Sequence, residues 1–171
     1  MTPGSPGSEN IRIEEIRFEN LDRMAVVSYA EYFEIENCVF ETCRISCGPF
    51  GGQSATIQNC DFYNGQDSFS IMCSTPHALI SNIVVQGCYG GISCQNGFSN
   101  DTLITDSIFA GDGVSWSEGI IFVNVGGSIV NCHFSNLTAA GVSLDNAKIV
   151  YLTDNVFENI RRTDEWLGAA I

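Results

Sequence analysis

The chain has 171 residues and a formal charge of −13, with twenty Asp and Glu against seven Lys and Arg. This composition lacks the basic footprint that nucleic acid requires, and no apolar run reaches the 18 or more residues of a membrane span. The length fits one domain, and a surface this acidic repels polyanionic sugars unless a cation intervenes.

Residues 1–8, Met-Thr-Pro-Gly-Ser-Pro-Gly-Ser, read as a flexible linker or appended sequence outside the fold, leaving 9–171 as the domain. Beyond them one motif returns seven times, in its fullest form Ile-x-Asn-Cys-x-Phe-x-Asn. Its leading aliphatic residue is Ile13, Ile35, Ile57, Ile80, Ile104, Ile129 and Leu152, at steps of 22 to 25 residues. Self-similarity at such a period marks an architecture of stacked units, none of which can bury a core alone.

The third unit shows the plan. Ala55 and Ile57, Cys60 and Phe62, and Phe69 and Ile71 are pairs spaced by two, each fitting a short strand with one buried face. Asn59 and the Asn64-Gly65 pair break the alternation where turns belong. No unit carries the 3.6-residue apolar period of a helical repeat. Three strands and three bends make one triangular coil, so the prediction is all-β: a single-stranded parallel β-helix of about seven coils.

Stacking these coils places Phe18, Phe40, Phe62, Val85, Phe109, Phe134 and Phe157 in one column. Asn37, Asn59, Asn82, Asp106, Asn131 and Asp154 form another, a structural ladder of side chains that hydrogen-bond from coil to coil. With strands ~4.8 Å apart, seven coils span roughly 34 Å.

On this motif and its columns the chain resembles the right-handed parallel β-helix, or pectin-lyase-like, superfamily over nearly its whole length. Right-handedness follows from the resemblance and from the general preference for right-handed crossovers. The superfamily includes polysaccharide lyases, polygalacturonases, phage tailspikes and non-catalytic surface proteins. The resemblance therefore implies a shape and an extracellular or cell- or virion-surface location, and leaves the activity open.

A local resemblance to polygalacturonases runs through Gly65-Gln66-Asp67-Ser68-Phe69-Ser70-Ile71 and Gly90-Gly91-Ile92-Ser93-Cys94. Asp67 matches the second acid of that family's paired acids and is the one catalytic candidate. Gln66 replaces the first acid, Gly90 stands where a His belongs, and Cys43-Arg44-Ile45-Ser46-Cys47 offers no counterpart to the remaining Asp. Glycoside hydrolysis needs two carboxylates at a defined separation, so the pattern weakens the hydrolase reading. Proton abstraction by a lyase fares no better, with Lys148 the only lysine and Arg17 and Arg44 the outward arginines near acids. His77 and His133 lack an evident partner. Ser46, Ser70, Ser93 and Ser143 read as a polar outer stripe.

Glu14 with Glu36, and Glu19 with Glu41, fall in shared columns of adjacent coils, where like charges oppose each other. A bound Ca²⁺ or a lining Arg would offset them, and simple solvation is the alternative. The eight cysteines occupy positions held elsewhere by Ile, Val or Ser and read as small buried hydrophobes. Parallel in-register Cβ atoms sit near 4.8 Å, beyond the ~3.8 Å of a disulfide; a bridge across columns from Cys73 stays open. Asn100-Asp101-Thr102 and Asn136-Leu137-Thr138 match the glycosylation sequon.

The longest excursion, 110–119, presents Trp116 between Asp112 and Glu118. An aromatic ring flanked by acids suits sugar recognition, since the ring stacks on C–H faces while carboxylates accept from hydroxyls. Folding of Trp116 back over the coil edge is the alternative. Tyr63, Tyr89, Asp67 and the Gly48–Gly52 loop are expected to extend the same surface. Neither end of the repeat shows a cap, which suggests a piece of a longer β-helix or coils that stack end to end between molecules. The function taken from these residues is a rigid, non-catalytic scaffold with a carbohydrate-binding outer face and no required cofactor, Ca²⁺ aside. A carbohydrate-active enzyme missing some coils, and a filament subunit, are the alternatives.

Overall fold

The computed structural model describes residues 10–43, 45–50, 52–66, 68–95, 101–113 and 115–161, with backbone alone at 45–47; the linker expected at 1–8 lies outside them. The first coil is built from strands Asn10–Glu14, Arg17–Glu19 and Met24–Ser28. Five more complete coils follow, ending with Gly127–Val130, His133–Ser135 and Ala140–Asp145. Val150–Thr153 and Val156–Glu158 begin a seventh. Every strand pairs in parallel with its counterpart one coil away, producing two sheets of seven strands and one of six. The architecture is the expected parallel β-helix, with six full turns plus two strands of another among the described residues.

The bends explain why the repeat holds its length. The first bend is always two residues, and its first residue has a left-handed backbone: Glu15, Asn37, Asn59, Asn82, Asp106, Asn131 and Asp154, with φ between 51° and 58°. Asn and Asp tolerate this conformation better than other side chains. The N–H of each of the first six keeps the ladder running through the corner; that of Asn59, for example, donates to the Ser81 carbonyl at 3.2 Å. Side chains add rungs, Asn82 Nδ2 to Asn59 Oδ1 at 2.7 Å and Asn131 Nδ2 to Asp106 Oδ1 at 2.6 Å. The second bend repeats the left-handed residue at Asn20, Thr42, Asn64, Gly87, Asn136 and Asn159, and the third does so at Asn124 and Asn146.

The second residue of the first bend turns inward. Cys38, Cys60 and Cys132 donate their thiols to carbonyls two residues back, and Ser107 makes the same bond at 2.7 Å. Asn155 fills both needs in the last coil, accepting from Cys132 N and donating to the Ile129 carbonyl. Burial pushes the Cys60 thiol up to about 12 and the Cys132 thiol to about 11. The seven cysteines whose side chains are described are all buried and free. Cys73 and Cys94 are register partners in the third sheet, a pairing that their different places in the repeat had hidden.

Phenylalanine fills the centre. Phe18, Phe40 and Phe62 stack in parallel at 4.8 and 4.9 Å, and Phe109, Phe134 and Phe157 at 5.0 and 4.8 Å, with Val85 between the two stacks. The rings face a column of small residues in the third sheet. A Cβ on Gly119 would sit 2.3 Å from the Gly141 carbonyl oxygen and 2.7 Å from the Phe134 ring. By register Ser70 occupies that same inner column, and it is buried. The expected outer stripe of serines therefore does not exist as one row. Ser93 and Ser143 share a column with Met72 and Ile121, Ser93 is itself fully buried, and Ser70 stands two positions away.

Candidate functional site

Outward features gather at the second bend, because that corner varies from three residues to seven while the first stays at two. The longest version, 111–117, is braced from both sides. Within the loop, Ser115 donates its N–H to Asp112 Oδ1 and its hydroxyl to Asp112 Oδ2, both at 2.8 Å. Gly113, with φ 75°, reverses the chain. Against the next coil, Ser117 N donates to Thr138 Oγ1 at 3.0 Å and Thr138 N returns a bond to Ser117 Oγ at 3.1 Å. Thr138 Oγ1 also donates to the Ser115 carbonyl at 2.5 Å. Trp116 is thus carried on a fixed turn, and 38 % of its surface stays open to solvent.

Under this loop lies a cleft of about 330 Å³, lined by Trp116, Asp112, Ser115 and Ser117 from the fifth coil, Gly87, Cys88 and Tyr89 from the fourth, and Asn64, Gly65 and Gln66 from the third. A second cleft of about 400 Å³ shares Asn64, Gly87 and Asp112 and continues to Tyr63, Gln86, Gly111 and Glu41. The three shared residues place the two clefts side by side, with linings drawn from four coils. Glycines make the floor of the first cleft: a Cβ on Gly87 would meet Asn64 Oδ1 at 2.9 Å, and one on Gly65 would meet Cys88 Sγ at 3.2 Å. Burial and the neighbouring Asp61 carboxylate push the Tyr63 phenol up, so it remains a protonated donor.

Of the residues singled out from the sequence, Trp116, Asp112 and Tyr89 line the first cleft, while Tyr63 and Asp112 line the second. Glu118 lines neither. It opens a strand of the third sheet, its N–H bonded to the Tyr89 carbonyl at 3.1 Å, and burial raises its carboxyl above the usual range. Asp67 and Arg44 lie outside the described residues. The Gly48–Gly52 loop does not extend this surface: Phe50 sits at the third bend, its ring 6.1 Å from that of Tyr29. Asn64, Gly87 and Glu41 were missed as lining residues. At Gly87 the signal was missing bulk in a column that carries Asn at 20, 64, 136 and 159.

Position 90, where the polygalacturonase pattern has a His, is filled already. A Cβ there would meet the Phe69 ring at 2.5 Å. In the Asn136-Leu137-Thr138 sequon, Thr138 is buried in the loop brace.

The acidic columns are lined by arginine. Glu14 pairs with Glu36, and Glu19 with Glu41, in register. Arg12, overlooked in the sequence, reaches Glu14 at 2.8 Å, Glu36 at 2.9 Å and Glu34 at 3.7 Å. Arg17 bridges Glu19 and Glu41. Among the described residues no group of three or more His, Cys, Asp or Glu side chains is arranged to hold a metal ion. His77 and His133, read as lone, lie 3.2 Å from Asp101 and 3.3 Å from Glu158. Among the same residues no helix is long and apolar enough to cross a membrane.

No curated protein and no solved structure matches the chain. A family model described as "Right handed beta helix region" matches residues 25–169. With its three parallel sheets, its seven-fold motif and a match over most of its length, the chain belongs to the right-handed β-helix family.

Proposed function

We propose that this β-helix is a rigid, non-catalytic scaffold whose second-bend clefts bind a glycan, at a cell or virion surface or in the extracellular space. The observation that carries the reading is the gathering of aromatic, amide and carboxylate side chains at one corner, Trp116 and Tyr89 in one cleft and Tyr63 in the adjoining one, with Asn64 and Asp112 common to both. Pockets with this mixture of ring platforms and convergent polar groups are the usual form of small-ligand sites. Fixing Trp116 beforehand lowers the ordering cost of binding. The non-catalytic half rests on the state of the acids, since Asp112 accepts from Ser115 through both oxygens and Glu41 is paired with Arg17.

The test is a glycan array followed by titration calorimetry with wild type, Trp116→Ala and Tyr89→Ala. Binding that weakens at least tenfold in both variants, with unchanged circular dichroism, supports the proposal. An array blank for the wild type sinks the glycan reading. Turnover of a polysaccharide panel, abolished by Asp67→Ala, sinks the non-catalytic one.

A further inference from the structure

We infer that Cys73 and Cys94 together form a binding site for one soft monovalent cation of the copper(I) class, held between the two sulfurs.

These two thiols are placed unlike the others. Cys38, Cys43, Cys60, Cys88 and Cys132 each donate to the carbonyl two residues back. Cys73 ends the strand Phe69–Cys73, and Cys94 lies directly opposite it in the parallel register, on Gly90–Gln95. Cys94 donates its thiol to the Cys73 sulfur, and the Thr75 N–H donates to that same sulfur. The two sulfurs thus face each other across one coil step.

Spacing decides what they can hold. Neighbouring parallel strands run ~4.8 Å apart, so in-register side chains of like rotamer carry their sulfurs at about that separation. A disulfide needs Cβ atoms near ~3.8 Å, closer than this register brings them. A metal–thiolate bond of about 2.3 Å, taken twice in line, spans about 4.6 Å. One ion therefore fits between the sulfurs with little movement of either strand.

Coordination number selects the ion. By register the column holds Pro49 before the pair and Phe122 after it, and buried Ile71 and Ile92 precede the two cysteines on their strands. Among the described residues no third His, Cys, Asp or Glu joins them in a metal-binding group. Structural zinc takes four ligands and calcium takes six or more oxygens. A closed-shell monovalent ion is satisfied by two, and thiolates select soft ions. Charge agrees with this choice. The ion displaces one thiol proton, which passes to solvent, and leaves a neutral two-sulfur complex where a net charge would be costly. Both cysteines are buried, so the ion is taken up as the coils close during folding.

The test is refolding of the reduced, intact chain without oxygen in one equivalent of copper(I), in competition with a copper(I) chelator. Wild type should retain one ion per chain by native mass spectrometry, with two sulfur neighbours by X-ray absorption. Cys73→Ser and Cys94→Ser should each lower retention at least tenfold. Cys60→Ser, which breaks the contact with Cys38 in the neighbouring coil, should leave it unchanged. Copper(I) should raise the melting temperature of the wild type, and zinc should not. Wild type that refolds and retains no copper would overturn the site. So would equal retention in all three variants, or a shell of three or more sulfurs, since either puts the ion elsewhere. Zinc stabilising as much as copper(I) would overturn the two-coordinate geometry. Should a serine variant not recover the native circular dichroism, the sulfur count of the wild type decides alone.

Discussion

Replacing Phe134 and Phe62 by leucine, each in turn, isolates the contribution of ring stacking to this core. Both side chains are completely buried, so the transfer and size terms of the two substitutions nearly cancel. Their neighbours differ. Phe134 lies between Phe109 at 5.0 Å and Phe157 at 4.8 Å, whereas Phe62 stacks on Phe40 alone because Val85 follows it. Phe134→Leu thus removes one more aromatic pair than Phe62→Leu. Such a pair contributes about 0.5–1.5 kcal/mol beyond area burial. With a urea slope near 2 kcal/mol per molar, the Phe134 variant should unfold at a midpoint lower by about 0.2–0.8 M. Urea titrations followed by far-ultraviolet circular dichroism and by tryptophan fluorescence measure this. Coincident transitions are required, because stacked repeats can lose cooperativity. Equal midpoints, or a lower one for Phe62→Leu, would refute the idea that the rings add anything beyond filling space.

Other consequences concern the bends, the half-buried Glu118 and the thiols. Asn131, at φ 53°, should tolerate Gly better than Ala, because Ala keeps a left-handed strain of about 1–2 kcal/mol that Gly escapes, while both lose the bond to Asp106; thermal melts that rank Ala above Gly would contradict this. Burial raises the Glu118 carboxyl above 4.5, so the folded chain holds that proton longer than the unfolded chain, and stability falls as pH rises from 4.5 through the folded value. Glu118→Gln should accordingly melt higher than wild type at pH 7 and level with it below 4.5, whereas a difference independent of pH would speak against desolvation as the cause. Cys60 and Cys132, with thiols pushed up to about 12 and 11, should resist iodoacetamide in the native protein at pH 8 and react after denaturation. Peptide mapping that finds either alkylated in the folded chain would show the coils to open.

The sequence carried the coil because each element of the repeat answers a local demand. Asn at the first residue of the first bend supplies the left-handed corner, and alternation around Phe40, Phe62 or Phe134 marks the inner face. Those demands recur at fixed spacing, so they can be read without knowing what lies across the coil. Glu15 in the first bend and Thr42 in the second adopt the same left-handed conformation although their side chains do not favour it, and the N–H of each donates to a carbonyl of the next coil. The exposed rings of Trp116, Tyr89 and Tyr63 were visible as departures from the repeat. That Trp116 and Tyr89 line one cleft and Tyr63 the adjoining one depends on bend lengths of five, three and seven residues in successive coils, a relation between chain segments some fifty residues apart.

Fold class, period and inner column were thus determined by the amino acids themselves, for steric and burial preferences act within one coil and repeat. Tertiary structure alone decided that Arg12 bridges three glutamates, that Ser70 belongs with the glycines facing the core, and that Glu118 takes a half-buried position at the strand start. Each of these depends on the lateral offset between neighbouring coils. That offset is set by how whole turns settle on one another, and no single turn encodes it.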